Sequence, residues 1–172
     1  MDTAGNQPVD HRFRFVTSLG IIVPSGYDHA ARIAAFRKAH AGEFADFNSD
    51  VSDEHFAEQA TVRLESGRRI RCEVMQAVCG VSSDECLRYL KSRQALLLGA
   101  QGPTIVCEQG KEKLPKCRWL VSFDDRPSLW NDSKDERIPF LMVVASEVPV
   151  FGLCYFADGL AEGDCLLCFR EG

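Results

Sequence analysis

The carboxyl-terminal third of the chain decides the fold through IPFLMVVAS (138–146), VPVFGLCYF (148–156) and DCLLCFR (164–170). Each segment is an apolar run of strand length, and the links between them are short. Short links favour antiparallel pairing, because a parallel connection needs a crossover of a dozen or more residues. The first segment is apolar on both faces, which predicts that it lies at the centre of a sheet.

Cys165 and Cys168 in the last segment have the C-x-x-C spacing of redox and metal sites. Residues three apart on a strand point to opposite faces of the sheet, whereas zinc ligands must converge on one point. No second C-x-x-C occurs in the sequence. We therefore interpret the two thiols as small packed residues and expect no metal and no cofactor. The same interpretation applies to four cysteines in step with apolar neighbours: Cys72, Cys86, Cys117 and Cys154.

Further strands are predicted from alternation and β-branched content. They are FRFVTSLGIIV (13–23), KCRWLVSF (116–123) and the two arms of QALLLGAQGPTIVCE (94–108), which is interrupted by a glycine- and proline-containing turn. The polar stretch DDRPSLWNDSKDER (124–137) is predicted to be a loop with a short helical turn at 128–131. Long irregular loops often carry function, so this one is a candidate site.

Three helices are predicted in the first half of the chain. The first opens at a capping box over 25–28 and continues to about residue 47, with apolar residues every three or four positions. The second lies within 49–60 and is capped by Ser52. The third lies within 81–93, where Ser82 and the glutamate three residues later have the spacing of a capping box.

TVRLESGRRIRCEVM (61–75) alternates apolar and polar residues around a glycine, which predicts a β-hairpin with a three-residue loop. This register places Arg63 directly opposite Arg71, where like charges are destabilising unless an anion screens them. Together with Arg69, these residues form a candidate contact for an anion or a nucleic acid. The alternative is a solvated charge ladder in which Glu65 pairs with Arg69.

These segments predict an α+β fold, in which a mainly antiparallel sheet carries about three helices packed on one side. A loose tail over 1–10 is expected to precede a single domain over 11–172, which is an ordinary domain size.

The composition narrows the choice of partner and compartment. The chain of 172 residues has a formal net charge of −5, whereas nucleic acids and membrane surfaces attract proteins with a basic surplus. No apolar run approaches the roughly 20 residues of a membrane span. The start, MDTAGNQPVDHRFRF, lacks the pattern of a signal peptide, which favours a cytoplasmic protein with reduced thiols.

One enzymatic alternative depends on Cys79, which lies just before the third predicted helix. A helix start favours a reactive thiolate, and His29, His40 or His55 would be its base in a cysteine-dependent hydrolase or transferase. The motifs of nucleotide binding, zinc hydrolysis and serine hydrolysis do not occur in the sequence. A catalytic role is therefore not the leading hypothesis.

The leading hypothesis is a non-enzymatic binding protein, and it depends on the predicted loop 124–137. This loop carries Asp124, Asp125 and Trp130. Paired carboxylates attract cations, and tryptophan often anchors protein interfaces; burial of Trp130 in the core is the alternative. We expect a basic or arginine-rich protein as the partner.

Overall fold

The computed structural model describes residues 10–133 and 135–172, so the tail predicted over 1–10 lies almost wholly outside them. The strands are β1 Phe13–Ile22, β2 Asp46–Phe47, β3 Arg69–Ala77, β4 Leu120–Val121, β5 Trp130–Asp132, β6 Asp135–Val143, β7 Pro149–Tyr155 and β8 Cys165–Glu171. The α-helices are α1 Arg32–Ala39, α2 Asp53–Phe56, α3 Ser83–Ser92 and α4 Gln101–Gly110.

The eight strands form one mixed sheet in the order β1-β3-β8-β4-β6-β7-β2, with β5 paired to β6. Most neighbouring strands are antiparallel, whereas β2 with β7 and β4 with β8 are parallel. The predicted α+β class and the mainly antiparallel sheet are confirmed. The described residues contain four α-helices where three were predicted.

The three carboxyl-terminal strands are confirmed as β6, β7 and β8. β6 lies between β4 and β7, inside the sheet, as its two apolar faces predict. Cys165 packs with Leu167 in one hydrophobic core, and Cys168 packs with Leu166 in another. The C-x-x-C pair therefore points to opposite faces of β8.

Helices cover both faces of the sheet, so the prediction of helices on one side is wrong. On one face, called here the three-helix face, α1, α2 and α4 contribute Phe36, Phe56 and Ile105 to the core. On the other, called here the α3 face, α3 contributes Leu87 and Leu90. Helices are needed on both faces of the sheet because β8 buries apolar side chains on each of its faces.

The two strands predicted within 94–108 are wrong, because α4 occupies most of that segment. Every residue from 101 to 107 is buried, so the helix lacks the polar face whose period distinguishes it from a buried strand. Gly102 and Pro103 lie in its first turn, where proline removes no intrahelical hydrogen bond.

The hairpin predicted over 61–75 is also wrong. β3 begins at Arg69 and pairs with β1 on one edge and with β8 on the other. Residues 61–68 approach it without forming a strand, and Leu64 is buried in the core of the three-helix face. Pairing along both edges gives β3 more backbone hydrogen bonds than an arm of a local hairpin would have.

The observed register gives Arg71 different neighbours from the predicted ones. Arg71 lies opposite Gly20 of β1 and opposite Arg170 of β8. Arg63 lies in the loop that precedes β3. The sheet does contain a pair of opposed arginines, but the pair consists of Arg71 and Arg170.

The first predicted helix is shorter than its pattern indicates. A 3-10 turn at His29–Ala31 leads into α1, which ends at Ala39. Gly42 has a φ of 85°, a left-handed conformation that prevents the helix from continuing. The end of the predicted helix instead pairs with β7 as strand β2.

The second and third predicted helices agree with the structure to different degrees. α2 is capped by Ser52 as predicted, but it ends at Phe56 after a single turn. α3 is confirmed together with its capping box, in which Ser82 and Glu85 exchange hydrogen bonds. Among the described residues, no helix has the length and apolarity needed to cross a membrane.

Two expectations for the middle of the chain require correction. Cys117 was predicted to be buried in a strand over 116–123, but it is exposed and has a φ of 58°, which interrupts the alternation. The stretch 124–137 is not all loop. Its helical turn lies at Arg126–Ser128, and β5 and the start of β6 follow.

Candidate functional site: an acidic groove on the α3 face

A groove of about 420 Å³ lies where the start of α3 meets the ends of β6 and β7. Three carboxylates line it, from Asp84, Asp135 and Glu136, and we call it the acidic groove. Arg126 and Phe156 are among its other lining residues and add a guanidinium and an aromatic surface. These side chains come from four separate elements of the fold.

The capping box of α3 fixes one side of the acidic groove. The Ser82 amide donates to Glu85 Oε2 at 3.0 Å, and the Glu85 amide donates to Ser82 Oγ at 3.4 Å. Arg12 holds Glu85 from outside through an ion pair of 2.6 Å. With its start fixed in this way, α3 presents Asp84 in its first turn.

Arg126 lines the acidic groove and joins two of its carboxylates. Its Nη1 donates to Asp84 Oδ1 at 3.0 Å, while Nε and Nη2 donate to the two oxygens of Glu136, both at 3.2 Å. These contacts, with Glu136 first and Asp84 second, raise the pKa of Arg126 above its ordinary value. The guanidinium thus forms a bidentate pair with one carboxylate and a single bond with another.

Phe156 forms an aromatic wall behind this guanidinium. The Arg126 carbon Cζ lies 4.6 Å from the centre of the Phe156 ring, which is cation–π geometry. Phe156 is itself buried, with its ring 6.4 Å from that of Phe123 in an edge-on arrangement. The Ser83 hydroxyl donates to the Phe156 carbonyl at 2.6 Å. The ring is therefore held in place by α3 and by the core.

A second arginine–aromatic–carboxylate arrangement lies beside the acidic groove. Arg137 Cζ is 3.6 Å from the centre of the half-exposed Tyr155 ring, and its Nη2 donates to Asp132 Oδ2 at 2.9 Å. Arg137 lowers the pKa of Asp132 below its ordinary value. Asp135, opposite Asp132 in the β5–β6 hairpin, is exposed, and no ion pair to its carboxylate is found within residues 10–133 and 135–172.

The predicted site residue Asp124 does not reach the groove. Its side chain is 3% exposed and accepts hydrogen bonds from the amides of Thr61 at 3.0 Å and Asp125 at 2.8 Å. Burial raises its pKa above the ordinary value of 3.8. Asp125 is more exposed and pairs with Lys91 at 2.8 Å, a contact that lowers its pKa. Asp124 therefore supports the start of the stretch 124–137 from within, and Asp125 lies beside Arg126.

Trp130 lies on the three-helix face, away from the acidic groove. Its ring stacks on His55 at 4.1 Å with an interplanar angle of 9°, and its edge approaches Phe56. Trp130 is half-buried and packs against the core. Its neighbour Asn131 lines the groove instead, because successive residues of β5 point to opposite faces.

The candidate nucleophile Cys79 is exposed in the connection between β3 and α3. The three histidines considered as its base make other contacts. His29 Nδ1 lies 3.5 Å from the Tyr27 hydroxyl, and His55 Nδ1 lies 2.8 Å from the Asp50 carbonyl. His40 contacts two glutamates. None of these contacts brings a histidine to Cys79.

Sequence reasoning missed Asp84, Arg126, Asp135 and Glu136 as members of one site. The sequence does indicate that they are charged and lie near helix or strand ends, but their convergence depends on α3 packing over the ends of β6 and β7. That contact is tertiary, and no spacing along the chain encodes it.

Comparison of the chain with known family models, curated proteins and solved structures produced no match. The function is therefore inferred from the geometry and the charge of the acidic groove.

Proposed function

We propose that this protein is a non-enzymatic binding protein whose acidic groove receives an arginine-bearing segment of a basic protein partner. The observation that carries the proposal is the position of Arg126. Its guanidinium lies between Asp84 and Glu136 and over the ring of Phe156. The groove thus already accommodates the chemical group that the partner would supply.

The chemistry of the acidic groove suits guanidinium better than other cations. Arginine forms planar bidentate pairs with carboxylates and stacks on aromatic rings, whereas the ammonium of lysine behaves as a point charge. The groove offers both kinds of contact, through Glu136 and through Phe156. This combination favours an arginine-rich segment over a lysine-rich one.

The charge balance of the acidic groove also favours a cationic partner. Among the described residues that line the groove, the carboxylates of Asp84, Asp135 and Glu136 face one guanidinium, that of Arg126, which leaves a surplus of two negative charges. The chain as a whole carries a net charge of −5. Complementary charge at the groove accelerates encounter with a basic segment and disfavours an acidic segment at this surface.

The internal contacts of Arg126 are weak enough to be exchanged. The side chains of Arg126 and Asp84 are 51% and 61% exposed, and exposed ion pairs contribute little because water and salt screen them. A guanidinium of the partner can therefore replace that of Arg126 without a large loss of stability. Asp135 provides a further carboxylate for a second basic residue.

The proposal is tested by fluorescence anisotropy with a labelled oligo-arginine peptide. We expect the double variant Asp84→Asn/Glu136→Gln to bind about tenfold more weakly, because two exposed ion pairs are lost. The variant Glu112→Gln is the control for a lost surface charge, since Glu112 lies in the turn after α4 and does not line the groove. Equal weakening by the control and the double variant would refute a defined site.

The variant Arg126→Gln gives a prediction of opposite sign. Without its internal guanidinium the acidic groove presents unpaired carboxylates, so we expect it to bind oligo-arginine several-fold more tightly than the native protein. An oligo-lysine peptide of equal length should bind more weakly than oligo-arginine in both proteins. If Arg126→Gln weakens binding instead, Arg126 contacts the partner and the proposed exchange is wrong.

A further inference from the structure

β1 is a long strand at the edge of the sheet. It has ten residues and pairs with β3 on one side, and no described residue forms a strand on its other side. Two of its large apolar side chains, Phe15 and Ile22, are 56% and 52% exposed. Exposed strand edges present unpaired amides and carbonyls that can pair with another chain.

The backbone groups that point outward from β1 can be identified from the bonds at its end. The Val23 amide donates to the Arg68 carbonyl, towards β3, whereas the Ile22 amide and carbonyl bond to the side chain of Gln109. The direction of the backbone amide and carbonyl alternates from one residue to the next along a strand. The amide and carbonyl of Ser18 and of Gly20 therefore point outward, like those of Ile22. The β-bulge between Phe15 and Thr17 lies outside this stretch.

Gln109 acts as a side-chain substitute for a neighbouring strand. Its amide nitrogen donates to the Ile22 carbonyl at 2.7 Å, and its amide oxygen accepts from the Ile22 amide at 3.1 Å. A peptide group of an added strand would make this same pair of bonds. The edge of β1 thus already pairs with an amide at one position.

An uncompensated basic surface lies beside this edge on the α3 face. Arg71 and Arg170 are directly opposite each other, with Cα atoms about 5.5 Å apart in such a pair. Two acidic residues of the same strands are already engaged, since Glu73 pairs with Arg93 at 2.6 Å and Glu171 pairs with Arg68. For Arg71 and Arg170, no ion pair is found within the described parts of the chain.

Gly20 lies between the open edge of β1 and these arginines. It lies opposite Arg71 in the same row of the sheet, and a methyl group placed on it would meet no atom within 4 Å. A residue on an added strand beside Gly20 would lie roughly 10 Å from Arg71, two strand spacings away. Glutamate and arginine side chains together span that distance across the space that glycine leaves open.

We propose that β1 accepts an extended acidic segment of a partner protein as an additional antiparallel strand, whose carboxylates reach Arg71 across Gly20 and are also attracted by the positive charge of Arg170 on the next strand. Backbone hydrogen bonds to Ser18 and Gly20 supply the attachment, and the arginines select for acidic side chains. This surface is separate from the acidic groove, so its test does not depend on the proposed function.

Other occupants fit this surface less well. A second copy of the chain pairing through β1 would bring no carboxylate to the arginines, because FRFVTSLGII contains no acidic residue. A nucleic acid gains most of its affinity from many phosphate contacts, whereas the opposed pair on this surface supplies two guanidinium groups, those of Arg71 and Arg170. The partner is therefore inferred to be an acidic polypeptide in extended form.

The test uses a labelled peptide as long as β1 in which threonine and glutamate alternate, with matched threonine–glutamine and threonine–lysine peptides. We expect the glutamate peptide to bind best, and Arg71→Gln and Arg170→Gln each to weaken it by up to about fivefold. Arg63→Gln, in the loop before β3, is the matched control and should leave binding unchanged. Backbone hydrogen exchange should show new protection at Ser18 and Gly20 when the peptide is bound.

Two variants separate strand addition from simple charge attraction. Gln109→Ala frees the outward groups of Ile22 and should tighten binding several-fold, because the added strand gains a further pair of hydrogen bonds. Gly20→Pro removes an outward amide without removing a bond to β3, which edge strands tolerate, and should abolish binding. Thermal unfolding by circular dichroism identifies any variant that fails to fold.

Several outcomes would overturn this proposal. It is wrong if the three peptides bind equally, if Gln109→Ala leaves the affinity for the glutamate peptide unchanged, or if no protection develops at Ser18 and Gly20. It is also wrong if a single-stranded RNA oligonucleotide binds more tightly than the glutamate peptide, or if analytical ultracentrifugation shows that the native protein pairs with itself through β1.

Discussion

The guanidinium of Arg32 donates a hydrogen bond of 2.8 Å to the hydroxyl of Thr104, and both residues are buried. The same guanidinium pairs with Glu108 at 2.6 Å. This contact joins α1 to α4 beneath the sheet, on the three-helix face. Because the Arg32 guanidinium and the Thr104 hydroxyl are both buried, loss of this hydrogen bond leaves a buried donor without a partner.

Replacement of Thr104 by valine tests this contact. The change keeps the shape of the side chain but removes the acceptor of Arg32, and we expect the free energy of unfolding to fall by about 1–3 kcal/mol. Urea denaturation followed by circular dichroism measures the change. Thr17→Val is the control, because Thr17 is half-exposed on β1 and the substitution should change stability by less than about 0.5 kcal/mol. Equal effects of the two substitutions would show that the buried hydrogen bond contributes nothing to the free energy of unfolding.

A second test concerns the close approach of Gly102 to Phe169. A methyl group at Gly102 would lie 2.6 Å from two ring carbons of Phe169, which is almost fully buried. Gly102→Ala should therefore destabilise the protein by about 1–3 kcal/mol through overpacking, more than the ~1 kcal/mol that alanine gains in a helix. Gly20→Ala meets open space and serves as the control, with unchanged or slightly higher stability. A Gly102→Ala variant as stable as the native protein would mean that the ring can move aside.

The parts of the fold that follow from local patterns were predicted well. α3 has a polar face, an apolar face and the Ser82 capping box, all within a dozen residues, so its sequence specifies it. β6, β7 and β8 are likewise defined by apolar runs between turn residues. In these elements the local preference and the tertiary environment agree.

The parts that depend on distant partners were not predicted. α4 is buried almost all round, so its composition suits a buried strand as well as a buried helix. β3 alternates in a way that suits a local hairpin, but β1 and β8 offer it two edges far away in the sequence. The sequence indicates a surface charge at Asp124, because the residues that bury its carboxylate, Thr61 and Gly99, are distant from it in the chain.

The eight cysteines should divide into two classes of reactivity. Burial raises the pKa of Cys86 and Cys154 to about 12 and that of Cys107, Cys165 and Cys168 to about 11, and it also raises the pKa of Cys72. Cys79 and Cys117 are exposed. We therefore expect iodoacetamide to label these two in the native state and all eight in urea, as measured by mass spectrometry.

The comparison of Cys79 with Cys117 also tests the enzymatic alternative. An activated nucleophile reacts faster than an ordinary exposed thiol at slightly acidic pH, where few ordinary thiols are ionised. The contacts of His29, His40 and His55 lie elsewhere, so we expect similar labelling rates at the two cysteines. Much faster labelling of Cys79 would favour a cysteine-dependent enzyme over a binding protein.

The buried carboxyl of Asp124 predicts a dependence of stability on pH. Burial raises its pKa above the ordinary value of 3.8, so the folded state binds the proton of this group more tightly than the unfolded state does. The stabilisation that the neutral carboxyl provides is therefore fully present at a pH below the ordinary pKa of 3.8. It is lost as the pH rises from 3.8 through the raised pKa of the folded state. Asp124→Asn stays neutral throughout and can still accept hydrogen bonds from the amides of Thr61 and Asp125.

Urea denaturation of the native protein and of Asp124→Asn across this pH range measures the effect. The two proteins should be similar in stability at the acidic end, and the native protein should become the less stable of the two as the pH rises. Because both are compared at each pH, the titration of the other carboxylates largely cancels in the difference. A native protein that gains stability over the variant with rising pH would mean that the hydrogen bonds from Thr61 and Asp125 outweigh burial, and that the ionised form of Asp124 supports the loop beside the acidic groove.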